Sequence, residues 1–471
     1  MQAKIFFGSS EATKENLSER KSPYNGKVVS IAPICDEEDA NKALRIAQDA
    51  AKITKKSTLS QRCNWLLDVA EKLKANKEDI AKTITDEVGK PIAFARVEVD
   101  RCIETVTLSA ETMRTMAGET INTDAMASGK KTLSFFRRES VGVVVAITPF
   151  NFPLNLVAHK LAPALVAGNA VVLKPTPEAP LTAYKFAKLF IESEYAIADA
   201  LSVVYGDAEV GSALITSDIP RVISFTGSVP VGNIITKNAG IKKVGLELGG
   251  NAATFVEKSA DLALAAQRCA LGAFVNSGQV CISLQRIYVQ VEVYDEFAEL
   301  MAKETQKLKI GSPYDDDTFM GPLIDDDAAE RAMGWVESAI EEGAKPLLSP
   351  HREGRMFHPC VMADVRDDMA IVCEEVFAPI VSLVKVDDFD DALPRMNNSP
   401  YGLQFSVFTN DLSITSRAID ELEAGGVVIN DMPTLRFDIQ PYGGVKLSGV
   451  GREGPRFAIE EMTEIKSVVI C

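Results

Sequence analysis

A free cysteine, a glutamate and a glycine-bearing turn are the features of this chain whose residue types and spacing suit covalent chemistry. Cys281 closes the segment Asn276-Ser277-Gly278-Gln279-Val280-Cys281, small, polar and glycine-containing, directly after an apolar helical stretch. A cysteine thiolate is a strong nucleophile, yet a free cysteine is also commonly a small buried apolar residue, and spacing alone leaves both readings open. Glu247, in Glu247-Leu248-Gly249-Gly250, ends an expected parallel strand. Open sheets form their sites at such carboxyl ends, although a salt-bridged strand-end carboxylate fits the same pattern. Ser224-Phe225-Thr226-Gly227-Ser228-Val229-Pro230-Val231-Gly232 lies where a strand turns into a helix. The free N–H groups of a helix start suit a pyrophosphate. The spacing is not GxGxxG, so an ordinary strand–helix turn competes with that reading.

The elements that must position these residues are legible in the apolar periodicity. Residues 38–57, 59–90 and roughly 91–116 carry Ala, Leu and Ile at helical spacing between charges. From 141 to 248 strands and helices alternate. The strands are Val141–Ile147, Ala170–Leu173, Leu201–Tyr205, Val222–Phe225 and Val244–Leu248. The helices between them cover 154–167 (closed by Gly168), 180–193, 208–216 and 229–239. Short connections between such units imply an α/β fold with a doubly wound parallel sheet, the architecture of dinucleotide-binding domains. Further helices in 259–307, 325–342 and 411–425, with strands such as Ile287–Val291 and Val427–Asn430, make a second α/β domain. Ser467–Ile470 reads as a short apolar strand that a monomer leaves at a sheet edge.

At 471 residues the chain exceeds one ordinary core, which implies two or three domains. It has 50 Lys and Arg against 66 Asp and Glu, a net charge of −16. That balance disfavours nucleic acid and anionic membrane as partners, since both reward clustered cations. The start carries no apolar signal core, and runs such as Val141–Ile147 fall far short of the ~20 residues of a membrane span. The eight cysteines are scattered without a CxxC pair, so we read them as reduced thiols in a cytoplasmic protein with no metal site.

Taken together the motifs resemble the aldehyde dehydrogenase superfamily, over essentially the whole chain from about residue 20. The resemblance rests on Pro149-Phe150-Asn151-Phe152-Pro153, on Val172-Leu173-Lys174-Pro175, on Phe225-Thr226-Gly227-Ser228 and on Glu247-Leu248-Gly249-Gly250. Gly278-Gln279-Val280-Cys281, Glu374-Glu375-Val376-Phe377-Ala378-Pro379 and Pro441-Tyr442-Gly443-Gly444-Val445-Lys446 follow in order. It implies oxidation of an aldehyde by the Cys281 thiolate through a thiohemiacetal. Asn151 and the Cys281 N–H hold the oxyanion, and Glu247 activates water to hydrolyse the acyl-enzyme. It also implies a nicotinamide dinucleotide on Thr148, Pro149, Phe150, Lys174, Gly227, Ser228, Gly232, Glu375 and Phe377. The likeness divides the chain into a dinucleotide-binding domain (1–120 and 141–248), a catalytic domain (249–447) and a small β oligomerisation element (121–140 and 448–471). The assembly it implies is a homodimer or homotetramer.

The pattern departs from NAD-preferring members at Pro177, where a glutamate three residues after the lysine often binds the adenosine 2′-hydroxyl. Without that carboxylate a 2′-phosphate meets less repulsion, so NADP is expected to be accepted at least as well as NAD. The other departure is Ala378, where glycine is common. Phe152–Lys160 and the tail with Arg436 and Asp438 resemble the branch that handles small polar aldehydes, such as lactaldehyde, glycolaldehyde, glyceraldehyde 3-phosphate or a semialdehyde. His159 either faces such a substrate or is a helix-surface histidine bonded to the backbone. Arg436 either binds an anionic tail or pairs with a neighbouring carboxylate. The competing functions are a CoA-acylating semialdehyde dehydrogenase, which generally lacks a glutamate at the Glu247 position, and a catalytically inactive structural or binding protein on the same fold.

Overall fold

The computed structural model describes residues 1–471. Five parallel strands build the first sheet, in spatial order 201–203, 170–174, 143–147, 222–226, 243–247. Val143–Ile147 comes first in the chain yet sits centrally, and the next two strands run outward on one side while the last two run outward on the other. The direction of winding therefore reverses between 143–147 and 222–226. At such a switch point the flanking loops diverge and open a crevice beyond the carboxyl ends of the strands. The strands are Val- and Ile-rich and buried, as expected for a sheet covered on both faces. Residues 5–7 and 10–12 extend one edge antiparallel, and Gly449–Val450 extends the other by pairing with Leu246 and Glu247. The segment from 448, expected to serve the small β element alone, thus begins as an edge strand of this sheet.

A second sheet orders 345–346, 360–363, 380–386, 284–290, 252–256, 404–408 and 426–429, all parallel except the first. Apolar clusters pack on both of its faces. The third sheet pairs Thr463–Ile470 antiparallel with Leu133–Ser140 along eight residues, with 119–120 outside. The expected tail strand therefore starts four residues earlier than its apolar run. Its first half reads as polar in sequence because cross-strand pairs such as Lys466–Glu139 at 2.7 Å stabilise it instead of burial.

The long helix expected over 59–90 divides at Asn76, whose side-chain amide donates to the Lys72 carbonyl at 2.8 Å and ends the helix 59–75. Helix 77–88 follows and helix 92–115 starts after Pro91. Helix 155–166 is buried at every position, and its entry is set by a carboxylate. Glu98 accepts from the Leu154 and Asn155 N–H groups at 2.9 and 3.2 Å and pairs with buried Lys90. That clamp fixes where the chain leaves Asn151–Pro153 and enters the helix. No helix is long and apolar enough to cross a membrane.

Candidate active site

The crevice at the switch point is a cavity of about 470 Å³. Pro149 and Phe150, which follow strand 143–147, line it together with Gly227 and Ser228, which follow strand 222–226. Asn151, Glu247, Cys281, Glu375, Phe377 and Arg436 complete the sequence-derived set on its wall. Thr148, Lys174 and Gly232 stand beside the lining. Lys174 ends the neighbouring strand in register with Ile147, and the Thr148 N–H donates to the Lys174 carbonyl at 3.3 Å.

The loop that carries Cys281 is held in an unusual conformation. Asn276, Ser277 and Gly278 have φ of 52, 57 and 72°, three left-handed residues in a row, each costly for a residue with a Cβ. Glycine is required at 278 because a Cβ there would overlap the Ala378 carbonyl. The conformation persists because its polar groups are tied down. Ser277 Oγ donates to the Gly321 carbonyl at 2.8 Å, and Gln279 Oε1 accepts from the Ile324 N–H at 2.9 Å. Asn151 Nδ2 donates to the Gln279 carbonyl at 3.1 Å. One of its two N–H groups is thus spent on the cysteine loop and the other is left to donate elsewhere. A Cβ on Gly250 would strike the Cys281 carbonyl, so the turn after Glu247 packs directly on the cysteine backbone.

Burial pushes the Cys281 thiol up to about 11, opposed by a 2.9 Å contact with the Tyr442 hydroxyl and by the Arg436 charge. Burial also raises Glu247 well above the carboxylate range, and the charge of nearby Glu453 raises it further. Glu247 Oε2 is buried without a partner. A neutral carboxyl tolerates that far better than a charged one. Glu453 has the opposite fate. Its burial cost is outweighed by Lys160, His159 and Arg436, which hold it down at about 2. Two adjacent carboxyls with acidities driven apart are a recurrent acid–base pattern.

The groups suited to a dinucleotide fit the cavity edge. The Lys174 ammonium, depressed by burial, forms no ion pair or hydrogen bond with the rest of the chain and is free for a ribose hydroxyl or phosphate. Helix 229–238 begins at Ser228, which lines the cavity, without a side-chain cap, so the Val229 and Val231 N–H groups have no capping side chain and Pro230 has no N–H. The Glu375 carboxylate accepts from the Gly250 N–H at 2.9 Å, and burial lifts it to about 7. Phe377, itself at φ 49°, stacks edge-on against Phe150 with ring centres 6.0 Å apart.

Two sequence readings of His159 are overturned. It is neither on the cavity wall nor on a helix surface bonded to backbone. It is fully buried, with Nε2 3.0 Å from Asp438 Oδ1 and 3.2 Å from Arg436 Nη2. The cause is that helix 155–166 has no solvated face. Burial and the Arg436 charge lower its pKa, against the pull of Asp438 and Glu453. Arg436 pairs with a neighbouring carboxylate, Glu453 at 3.0 Å, and also lines the cavity. Four residues at the site carried no sequence signal of a role: Lys90, Arg101, Glu453 and Tyr442. Tyr442 lay within a quoted motif, whereas Arg101 sits on helix 92–115 and meets Asp438 only through the fold, at 2.7 Å.

The opposed carboxyls give a direct test. Replacing Glu453 by Gln removes a negative neighbour and frees the Lys160 and Arg436 charges, so Glu247 should ionise at lower pH. The carboxyl C=O infrared band, assigned by its loss in Glu247→Gln, should vanish at lower pH in Glu453→Gln than in the wild type. An unmoved band would mean that burial alone sets Glu247.

Comparison with known proteins agrees with this geometry. Residues 9–468 match the model of the aldehyde dehydrogenase family. A 3-sulfolactaldehyde dehydrogenase of Priestia aryabhattai is 42% identical over 464 residues, 98% of this chain and 96% of that protein. A lactaldehyde dehydrogenase of Methanococcus aeolicus is 40% identical over 456 residues, 96% of this chain and 97% of the relative. The NADP-dependent glyceraldehyde-3-phosphate dehydrogenase of Bacillus halodurans, solved with NADP, superposes with a TM-score of 0.97 at 34% identity, covering 100% of this chain and 99% of its own. This chain belongs to the aldehyde dehydrogenase family.

Proposed function

We propose that the protein oxidises a small polar aldehyde to its carboxylate by covalent catalysis at Cys281, with NADP or NAD as hydride acceptor. The observation that carries this is the convergence of Cys281, Glu247 and Asn151 on one cavity at the switch point of a dinucleotide-type sheet. The thiolate attacks the aldehyde carbon, forming the C–S bond while the carbonyl pair moves to oxygen. The free Asn151 N–H and the Cys281 N–H are the donors for that oxyanion, and each such donor typically contributes ~3 kcal/mol. Glu375, Phe377 and the turn at Gly227–Ser228, with Lys174 for a ribose, would hold a nicotinamide dinucleotide, which when bound would accept the hydride lost from the carbon as the oxyanion collapses to the acyl thioester. Glu247 in its ionised form takes a proton from water, whose oxygen displaces sulfur from the acyl carbon and releases the carboxylate. The presence of Glu247 favours hydrolysis over transfer to CoA. Arg101 and Arg436 on the wall suit a polar or anionic substituent, in keeping with relatives named for lactaldehyde and sulfolactaldehyde.

The same reading places the enzyme in the cytoplasm as a homodimer or homotetramer. The apolar residues Ile465, Val469, Ile470 and Leu133, each more than half exposed on the third sheet, support the assembly.

Four experiments test these assignments. Cys281→Ala should abolish oxidation of an aldehyde panel while leaving dinucleotide binding intact; Glu247→Gln should keep a burst of reduced cofactor and then turn over slowly. Normal turnover in the first variant would overturn the mechanism. Deleting residues 466–471 should give smaller or aggregated species by light scattering, and a monomeric intact protein would refute the assembly. For the cofactor, kcat/KM should be at least as high with NADP as with NAD, and Pro177→Glu should shift the ratio towards NAD. A charged hydrogen bond from Lys174 to a 2′-phosphate contributes ~1.5–3 kcal/mol, enough for tenfold or more. A wild type preferring NAD more than tenfold, unmoved by that change, would show that Pro177 does not set the choice.

A further inference from the structure

The Tyr442 hydroxyl is buried, and its one hydrogen-bonding partner in the chain is Cys281 Sγ at 2.9 Å. A neutral thiol is a weak donor and a weak acceptor, so a buried phenol facing only that group loses its hydration for little return. A thiolate is an acceptor only, and a charge-assisted bond to it offsets the loss. The tyrosine is also held at every other point. Its N–H donates to the Glu453 carbonyl at 3.1 Å, and its own carbonyl accepts from the Glu453 N–H at 2.6 Å. Arg436 lies over its ring at 3.7 Å, itself anchored to Glu453 at 3.0 Å and Asp438 at 3.4 Å. Backbone and ring therefore leave the hydroxyl no freedom except rotation of its proton.

We propose that Tyr442 is a catalytic residue: its hydroxyl donates to Cys281 Sγ and stabilises the thiolate that attacks the aldehyde. The proposal rests on Cys281 as the nucleophile. The Sγ–H bond breaks with its proton passing to water in the cavity, and the pair left on sulfur accepts the Tyr442 O–H. When that pair forms the C–S bond, sulfur loses its charge and most of its strength as an acceptor, while Tyr442 keeps its own proton throughout. The other ionisable groups acting on the sulfur are Arg436, which favours the thiolate, and Glu375 and Glu247, which oppose it when ionised. Tyr442 itself stays protonated, because burial and the neighbouring sulfur push its hydroxyl well above the usual phenol range.

The test is the pH dependence of iodoacetamide alkylation at Cys281, mapped by peptide mass in the full-length protein. Tyr442→Phe keeps the ring against Arg436 and removes only the donor. Its alkylation rate at neutral pH should fall about tenfold and its profile should move up by about one pH unit, with dinucleotide affinity unchanged. The burst rate of reduced cofactor should fall in parallel. Incorporating 3-fluorotyrosine at position 442, a more acidic phenol and stronger donor, should move the profile the opposite way, and that protein decides the matter if Tyr442→Phe does not fold. A profile unchanged in the variants would overturn the role of Tyr442 while leaving Cys281 as nucleophile. Full turnover by Cys281→Ala would instead remove the reading on which the proposal stands.

Discussion

The buried negative charge of Glu453 is the constraint around which the cavity is organised. Its carboxylate meets Lys160 Nζ at 3.3 Å and Arg436 Nη2 at 3.0 Å, with Thr226 Oγ1 at 3.5 Å. Those partners come from helix 155–166, from the connection leaving the second sheet and from a central strand of the first. An unmatched charge at that depth costs roughly 3–5 kcal/mol, so the segments must arrive together or not at all. Arg436 passes the constraint on through Asp438, which accepts from Arg101 at 2.7 Å and faces His159. Burial opposes ionisation of Asp438, but these hydrogen bonds win and hold it far below the carboxylate range.

The chemistry of the site depends on that arrangement. Because cations saturate Glu453, it stays ionised and its field acts on Glu247, which lies in the same low-dielectric pocket and is driven towards the neutral form. The same cluster fixes Arg436, and Arg436 fixes the ring of Tyr442 against the thiol. The cysteine is presented by three left-handed residues, of which Asn276 and Ser277 each carry a strain of about 1–3 kcal/mol that the bonds of Ser277, Gln279 and Asn151 must offset. A nucleophile on so constrained a loop has little freedom to leave its line of attack. Preorganisation of that kind is where much of an enzyme's rate enhancement resides.

The alternation of strands and helices between 141 and 248 was legible because each element there is a short apolar run broken by glycine, proline or a polar turn. The departures from the sequence reading have separate causes. Helix 155–166 was read as having a solvated side, yet every residue on it is buried, so periodicity assigned His159 to a surface that does not exist. The strand 463–470 was truncated because its first half is stabilised by partners across the ladder and not by apolar burial. The break at Asn76 depends on one side-chain bond to Lys72, which competes with an otherwise continuous helical pattern.

What the sequence by itself determined was the class of fold, the edge of the sheet at which chemistry had to occur and, through its motifs, the identities of Cys281, Glu247 and Asn151. These follow from local signals: apolar period, caps, turns and short runs of residues. What only the tertiary structure decided was the protonation and pairing at the site. The chain does not show that Glu453 is held down while Glu247 is pushed up, that Arg101 reaches Asp438 across 337 positions, or that Tyr442 touches the sulfur. Such properties arise from Coulomb and desolvation energies, which depend steeply on distance and burial. Both are fixed only when segments far apart in the chain are packed against one another.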